Sequence, residues 1–282
     1  MSKVVELFGI SKTEANVDWS KVVEEQPCPY LQKRCIKIRK SQPEVSIGTC
    51  TVMYGKQKVP TIICPHRLLE RKQIFTDCLH LLTTHQPGNE LHVVTEVSLP
   101  GGNVDYFLLS VNQSKVRDFV GIELQALDTT GTVWPERKRL LEDLGVETNV
   151  SGNESRKSFG INWKMTAKTS LVQLHHKIDT FEKLQKKLVL VVQDCFLSYM
   201  QRQFNFAHVK QARIGDSMHM HSYQMVMQAE HSYKLTLEER LSTDAVGIAK
   251  CLDLQAEANV ELEQIIQLLE SKISEATLFT LV

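Results

Sequence analysis

Long apolar runs are missing from this chain: nothing in it approaches the roughly 20 consecutive apolar residues of a membrane-spanning helix. The N-terminal MSKVVELFGISK likewise lacks the apolar block of a secretory signal. Both absences make a cytoplasmic protein with no membrane partner the expectation. An excess of one charge is missing too, because 33 basic residues balance 33 acidic ones. No overall positive field announces a nucleic-acid binder, so any DNA contact must be local. Seven cysteines, an odd number in a chain without a secretory signal, argue against a disulfide framework.

What is present is a chain of 282 residues, 42% of them hydrophobic, enough for a sizeable core in one large domain or two smaller ones. Basic residues cluster at Lys33, Arg34, Lys37, Arg39 and Lys40, at Arg137 to Arg139, and at Lys183, Lys186 and Lys187. Each cluster is either a solvated face or a local anion contact. Four of the cysteines, Cys28, Cys35, Cys50 and Cys64, crowd into one segment, whereas Cys78, Cys195 and Cys251 are scattered where a small buried thiol is ordinary.

Residues 1–65 read as a short amphipathic helix followed by loops and brief strands, with too little apolar content for a good core. A segment this small usually needs a staple, and four thiolates around one metal would supply it. From His66 to Thr84 the spacing turns helical, HRLLERKQIFTDCLHLLTT. Three strand-like runs follow, LHVVTEVSL, DYFLLSV and DFVGIELQAL, the first two joined by the turn signal PGGN. Residues 128–169 form a polar, glycine-broken insertion with one helical stretch at 135–144. Then come a helix (SLVQLHHKIDTFEKLQKK), a buried-type strand (LVLVVQD) and another helix (CFLSYMQRQF). This order predicts an α/β (α+β) fold in which a mixed sheet is flanked by helices. The division expected is residues 1–65, a core at 66–210 carrying the insertion, and 211–282, where MHMHSYQMVMQAE is a strand and residues 254–273 a helix packed on the core.

Within the core, two apolar strands each carry an acid. Asp105 opens one and Glu123 lies well inside the next, with Gln125 two residues on and so on the same face. If these neighbouring strands pair, the three polar side chains converge. Two adjacent carboxylates repel unless one is protonated or a cation lies between them, and Mg²⁺ suits carboxylates that leave positions open for phosphate oxygens. Phosphodiester hydrolysis follows from that chemistry. The plain alternative makes Asp105 a turn residue after GGN and Glu123 an edge-strand acid. The spacing of Cys28, Cys35, Cys50 and Cys64 is unlike the CxxC knuckles of zinc ribbons. Four thiolates suit zinc or iron equally. The histidines His175 and His176 on a helix, and His219 and His221 on one strand face, read as surface, DNA or solvent contacts.

These residues resemble the PD-(D/E)xK nuclease superfamily, with its Asp on the second strand and Glu-x-Lys on the third. More closely, CPYLQKRCIKIRKSQPEVSIGTCTV, IICPHRL, NVDYFLLS, GIELQALDTTGT and INWKMTAKTSLVQLHHKIDTFEKLQKKLVLVVQD resemble the NotI-type restriction endonucleases over most of residues 25–205. The resemblance implies a PD-(D/E)xK core in which Asp105 and Glu123 ligate Mg²⁺, the Leu124 carbonyl adds a ligand, and Gln125 stands where the superfamily has lysine. It implies structural iron, or zinc, on Cys28, Cys35, Cys50 and Cys64. It further implies a homodimeric type II enzyme cutting double-stranded DNA at a GC-rich palindrome, paired with a DNA methyltransferase. Arg39, Lys40, Asn162, Lys164 and Lys168 are then the residues placed to reach DNA. Glu70, where the superfamily sometimes has a further acid, reads as a solvated helix face, and Glu96 has no assigned role. The competing classes are a non-catalytic metal-stabilised DNA-binding protein and a defence or repair nuclease of low specificity.

Overall fold

The computed structural model describes residues 2–146, 159–228, 232–254 and Gln267. The helix expected at residues 254–273 lies, all but Leu254 and Gln267, outside them. Where an amphipathic helix was expected to open the chain, two strands do so: β1 (Val4–Leu7) and β2 (Ile10–Ser11), with the helix α1 (Trp19–Glu25) following. All four residues of β1 are buried, a burden that only a strand flanked on both sides accommodates. β3 (Thr49–Tyr54) and β4 (Val59–Ile62) complete an antiparallel sheet ordered β2–β1–β3–β4. Between α1 and β3 run two short hairpins, Pro27–Cys28 with Lys33–Arg34 and Ile38–Arg39 with Gln42–Ser46. The segment also has a core, built from Val4, Leu7, Phe8 and Trp19 and completed from outside by Leu140 and Leu141.

The stripe from His66 to Thr84 is not one helix. A 3₁₀ stretch, Pro65–Lys72, is broken at Glu70 (ψ 125°) and at Arg71 and Lys72, both left-handed, before α2 (Gln73–Cys78) and a last 3₁₀ turn at Leu79–Leu81. The break turns Glu70 toward Arg67 and toward the backbone N–H of Leu235. Two bonds to a carboxylate outweigh one turn of helix continuity.

The seven-stranded sheet follows the predicted order closely. β5 (Glu90–Leu99), β6 (Gly102–Asn112) and β7 (Lys115–Gln125) form an antiparallel meander. After the helix α3 (Trp134–Asp143), the long helix α4 (Trp163–Lys183) leads to β8 (Lys187–Gln193), parallel to β7. α5 (Asp194–Gln203) then leads through β9 (Lys210–Gln211) to β10 (Met218–Met227), parallel to β8. β11 (Tyr233–Thr243), which the sequence reading passed over, returns antiparallel to β10 before α6 (Ala245–Cys251). The strand order is β9–β11–β10–β8–β7–β6–β5, so β10 and β11 continue the same sheet as the core.

Two apolar layers sandwich the sheet. On one face Leu188, Leu190 and Val192 of β8 meet Leu171, Leu174, Ile178 and Phe181 of α4 and Phe196 and Met200 of α5. On the other, Val189, Val191, Ile122 and Leu124 meet Leu68, Ile74, Phe75 and Cys78. Between its polar ends, Lys187 and Gln193, β8 is apolar because both its faces are covered, as parallel strands require. Among the described residues, no helix is long and apolar enough to cross a membrane.

Candidate active site and cysteine cavity

Alternation along β7 positions two of the three predicted polar side chains. Val120, Ile122 and Leu124 enter the layer beneath α2, so Glu123 and Gln125 face α4. There they line, with Ser170, Gln173, Leu174 and Lys177 of α4, a cavity of about 10 Å³, the size of one water or ion. Asp105 arrives from β6. The β6–β7 ladder ends where Tyr106 stands opposite Ile122, and just beyond it Asp105 Oδ2 accepts a hydrogen bond from Leu124 N–H at 2.9 Å. The carboxylate therefore replaces a strand carbonyl at the point of divergence, which sets it beside Glu123.

Burial pushes the Glu123 carboxyl up to about 7; the Lys177 ammonium opposes the rise and the negative charge of Asp105 adds to it. Lys177 Nζ lies 2.6 Å from Glu123 Oε1. The Gln125 amide donates to the Ala126 carbonyl at 2.6 Å. The structure thus brings together Asp105, Glu123 and Gln125, and adds Lys177, which the sequence reading missed. A signal was available: Ser170, Leu174 and Lys177 share one helical stripe, and a lysine on the buried face of a helix needs a partner.

The other predicted residues are dispersed. Glu70 is neither beside these carboxylates nor a solvated face, since its Oε2 is held by Arg67 and Leu235 N–H. Glu96 is exposed at an irregularity in β5, with φ 54°. Arg39 lies over the Trp134 ring, 4.3 Å from its centroid, and Lys40 is exposed. Asn162 precedes α4, where its N–H donates to Asp128 O at 2.8 Å. Lys164 and Lys168 are exposed on α4, on the side away from Ser170, Leu174 and Lys177, where they border a groove with Phe204 and Asp253. Several members of the basic clusters are engaged internally: Lys186 with Asp118 at 2.7 Å, Lys37 with the Ile63 carbonyl at 2.9 Å, and Arg137 in a stack on Trp134.

Cys28, Cys35, Cys50 and Cys64 line one cavity of about 10 Å³ together with His66. A hydrogen bond from Cys50 draws the Cys64 thiol down to about 6, helped by Lys37 and the backbone N–H groups of His66 and Arg67, while Cys50 is driven well up by the same bond and by burial. Four soft donors facing one ion-sized space fit a thiolate-bound metal. As the side chains stand, no three His, Cys, Asp or Glu groups among the described residues surround a single point closely enough to hold an ion. His66 borders this cavity and also feels Asp105: burial lowers its pKa and the Asp105 charge resists. The cysteine cavity and the carboxylate site are therefore neighbours.

The expectation that His219 and His221 make solvent or DNA contacts is wrong. Both are fully buried in β10, where burial lowers them to about 4 and about 3. His219 Nε2 bonds the Asp216 carbonyl, and His221 Nδ1 lies 3.8 Å from Cys78 Sγ. The strand that alternates in the sequence is covered on both faces in the fold. A larger cleft, about 880 Å³, lies elsewhere, bordered by Tyr30, Arg67, Lys72 and Tyr233.

Among known proteins, the family model described as Restriction endonuclease NotI matches residues 19–234. Neither the curated proteins nor the solved structures contain a match to this chain.

Proposed function

The chain belongs to the NotI restriction endonuclease family of DNA-cleaving hydrolases, and on that premise we propose a Mg²⁺-dependent type II enzyme that cuts both strands of double-stranded DNA at a specific GC-rich palindrome. The observation that carries this reading is the pairing of Asp105 and Glu123: two carboxylates from adjacent strands, one with its pKa raised by burial and by the other's charge. Such a pair is an energetic cost that a divalent cation relieves.

In this reading the core is of the PD-(D/E)xK kind. Asp105 and Glu123, with the Leu124 carbonyl, would hold Mg²⁺, which when bound makes water a better nucleophile and offsets charge on the phosphate. Gln125 is neutral, so its contribution is restricted to a hydrogen bond that orients water or a phosphate oxygen. The apolar walls given by Leu174 and Leu190 limit water entry to the cavity. Cys28, Cys35, Cys50 and Cys64 would hold structural iron, zinc being the alternative, and so brace the basic loop that carries Arg39 and Lys40. Arg39, Lys40, Asn162, Lys164 and Lys168 contact DNA. A homodimer matches the two-fold symmetry of a palindrome. The enzyme works in the cytoplasm with a methyltransferase that protects the same site.

Purified protein incubated with a GC-rich plasmid library, with and without Mg²⁺, tests the reading once the ends are sequenced. Discrete ends sharing one palindrome, dependent on metal and lost with Asp105→Ala, are expected. Scattered ends would make it a low-specificity nuclease, and intact but bound DNA a binding protein.

A further inference from the structure

The largest departure from the superfamily pattern is chemical: the third strand carries Gln125 where an ammonium is expected, and a neutral amide cannot offset charge building on a phosphate. A cation is nevertheless present in the same cavity. We propose that Lys177 is the cationic positioning residue of the cleavage site, delivering from α4 the charge that β7 lacks. This rests on the nuclease reading given above.

Three features carry it. Lys177 is nearly buried, its side chain 8% exposed, and its ammonium lies 2.6 Å from Glu123 Oε1, in the cavity that Gln125 also lines. A buried pair of this kind gains little over apolar side chains of similar volume, so stability alone does not call for a lysine on this stripe between Leu174 and Phe181. The second feature is the turn between β5 and β6. Gly101 and Gly102 both have positive φ, 97° and 129°; a Cβ on Gly101 would strike the His176 carbonyl at 2.1 Å, and one on Gly102 would crowd Lys177 Cε at 3.3 Å. Two residues without side chains thus let the turn close over α4 at Lys177, and Thr180 Oγ1 fastens it by donating to the Pro100 carbonyl at 3.1 Å. The third is incompleteness. Among the described residues Glu123 has one bond, to Lys177, whereas a carboxylate can accept about four. The ammonium holds one oxygen of Glu123 in a fixed orientation and leaves the other for a cation. It also stands next to any phosphate oxygen that approaches Glu123.

The test compares wild type, Lys177→Met, Lys177→Gln, and Gln125→Lys introduced into the Lys177→Met background. Single-turnover cleavage, DNA affinity without Mg²⁺, and melting temperature are read for each. Loss of the charge is expected to slow cleavage by about 10² to 10³, the usual effect of removing one preorganised charge stabiliser, with DNA affinity unchanged within about threefold. Gln125→Lys is expected to recover at least about tenfold of the loss, because it returns an ammonium to the same cavity from the other wall. A lysine that only supports the fold would not be replaced that way. Should Lys177→Met fail to fold, Lys177→Gln, which keeps a donor to Glu123 without the charge, decides. Cleavage by either folded variant within about threefold of wild type overturns the proposal, as does a Gln125→Lys change that restores nothing. Wild type that does not cut overturns the nuclease reading and this one with it; wild type that cuts while indifferent to Lys177 overturns this one alone.

Discussion

Around Arg67 donors and acceptors are matched; around Glu123 they are not. Arg67 donates to Glu6 at 2.7 Å, to Glu70 at 3.1 Å and to the Tyr233 carbonyl at 2.8 Å. Glu6 also receives the Thr51 hydroxyl, and Glu70 the Leu235 N–H at 2.7 Å. Burial works against the Arg67 charge, yet Glu6, Tyr30 and Glu70 hold its pKa above the ordinary value. This network ties β1, the 3₁₀ stretch and β11 together on the wall of the 880 Å³ cleft. At the Asp105–Glu123 pair, two carboxylates share one lysine and one backbone N–H. The contrast teaches how to tell a buried charge that serves the fold from one that awaits a ligand: the first is balanced by its own protein, the second only in part.

Removing a carboxylate from the unbalanced site has the largest expected effect. Asp105→Ala and Glu123→Ala each lower single-turnover cleavage by on the order of 10³ or more, equivalent to about 4 kcal/mol, while circular dichroism shows an unchanged fold. A variant that keeps cutting would erase the distinction between the two regions. Arg67→Met sharpens it from the other side. Stranding Glu6 costs about 3 kcal/mol of stability in urea unfolding, and the folded fraction cuts DNA at the wild-type rate.

The third effect depends on pH. Glu123 has a folded pKa near 7, above its usual 4.5, so the folded state holds a proton that the unfolded state has already lost. Stability of the metal-free protein therefore falls as pH rises from about 4.5 toward 7, by about 2 kcal/mol after allowance for residual solvation. Mg²⁺ reverses the loss, and Glu123→Gln flattens that limb of the stability curve. His219 and His221 act oppositely. Their folded pKa values lie below 6.5, so their contribution is complete above that pH and is lost as pH falls toward 4. An acid limb that survives Glu123→Gln and shifts down with His221→Leu would separate the two. The smallest expected effect is at the edge of the cysteine segment: Arg39→Ala gives up the contact with Trp134, worth about 0.5–1 kcal/mol, and is read as a small drop in melting temperature.

Much of this was legible in advance because it is written in local periods. The meander β5 to β7, the helix α4 and the apolar strand β8 appear in the chain where alternation, helical spacing and a short β-branched run announce them. Asp105, Glu123 and Gln125 were visible for the same reason, as polar residues that break those periods. The misreadings also share a cause. β1 looks amphipathic by itself and is a strand because β2 and β3 flank it and Arg67 answers Glu6. β11 carries Glu238, Glu239 and Arg240 and so lacks an apolar run, yet its pairing with β10 fixes it as a strand.

By itself, then, the sequence determined the order of strands and helices from β5 to α5, the face on which each acid sits, and the supply of four thiols in one segment. Tertiary structure alone decided what stands opposite: that Lys177, 54 residues from Glu123, meets it, that Glu70 belongs to Arg67, and that His219 and His221 are covered on both sides. The physical reason is that a side-chain period fixes the direction a residue points relative to its own backbone. What it meets there depends on how distant elements pack, and burial and charge pairing act only once that packing exists.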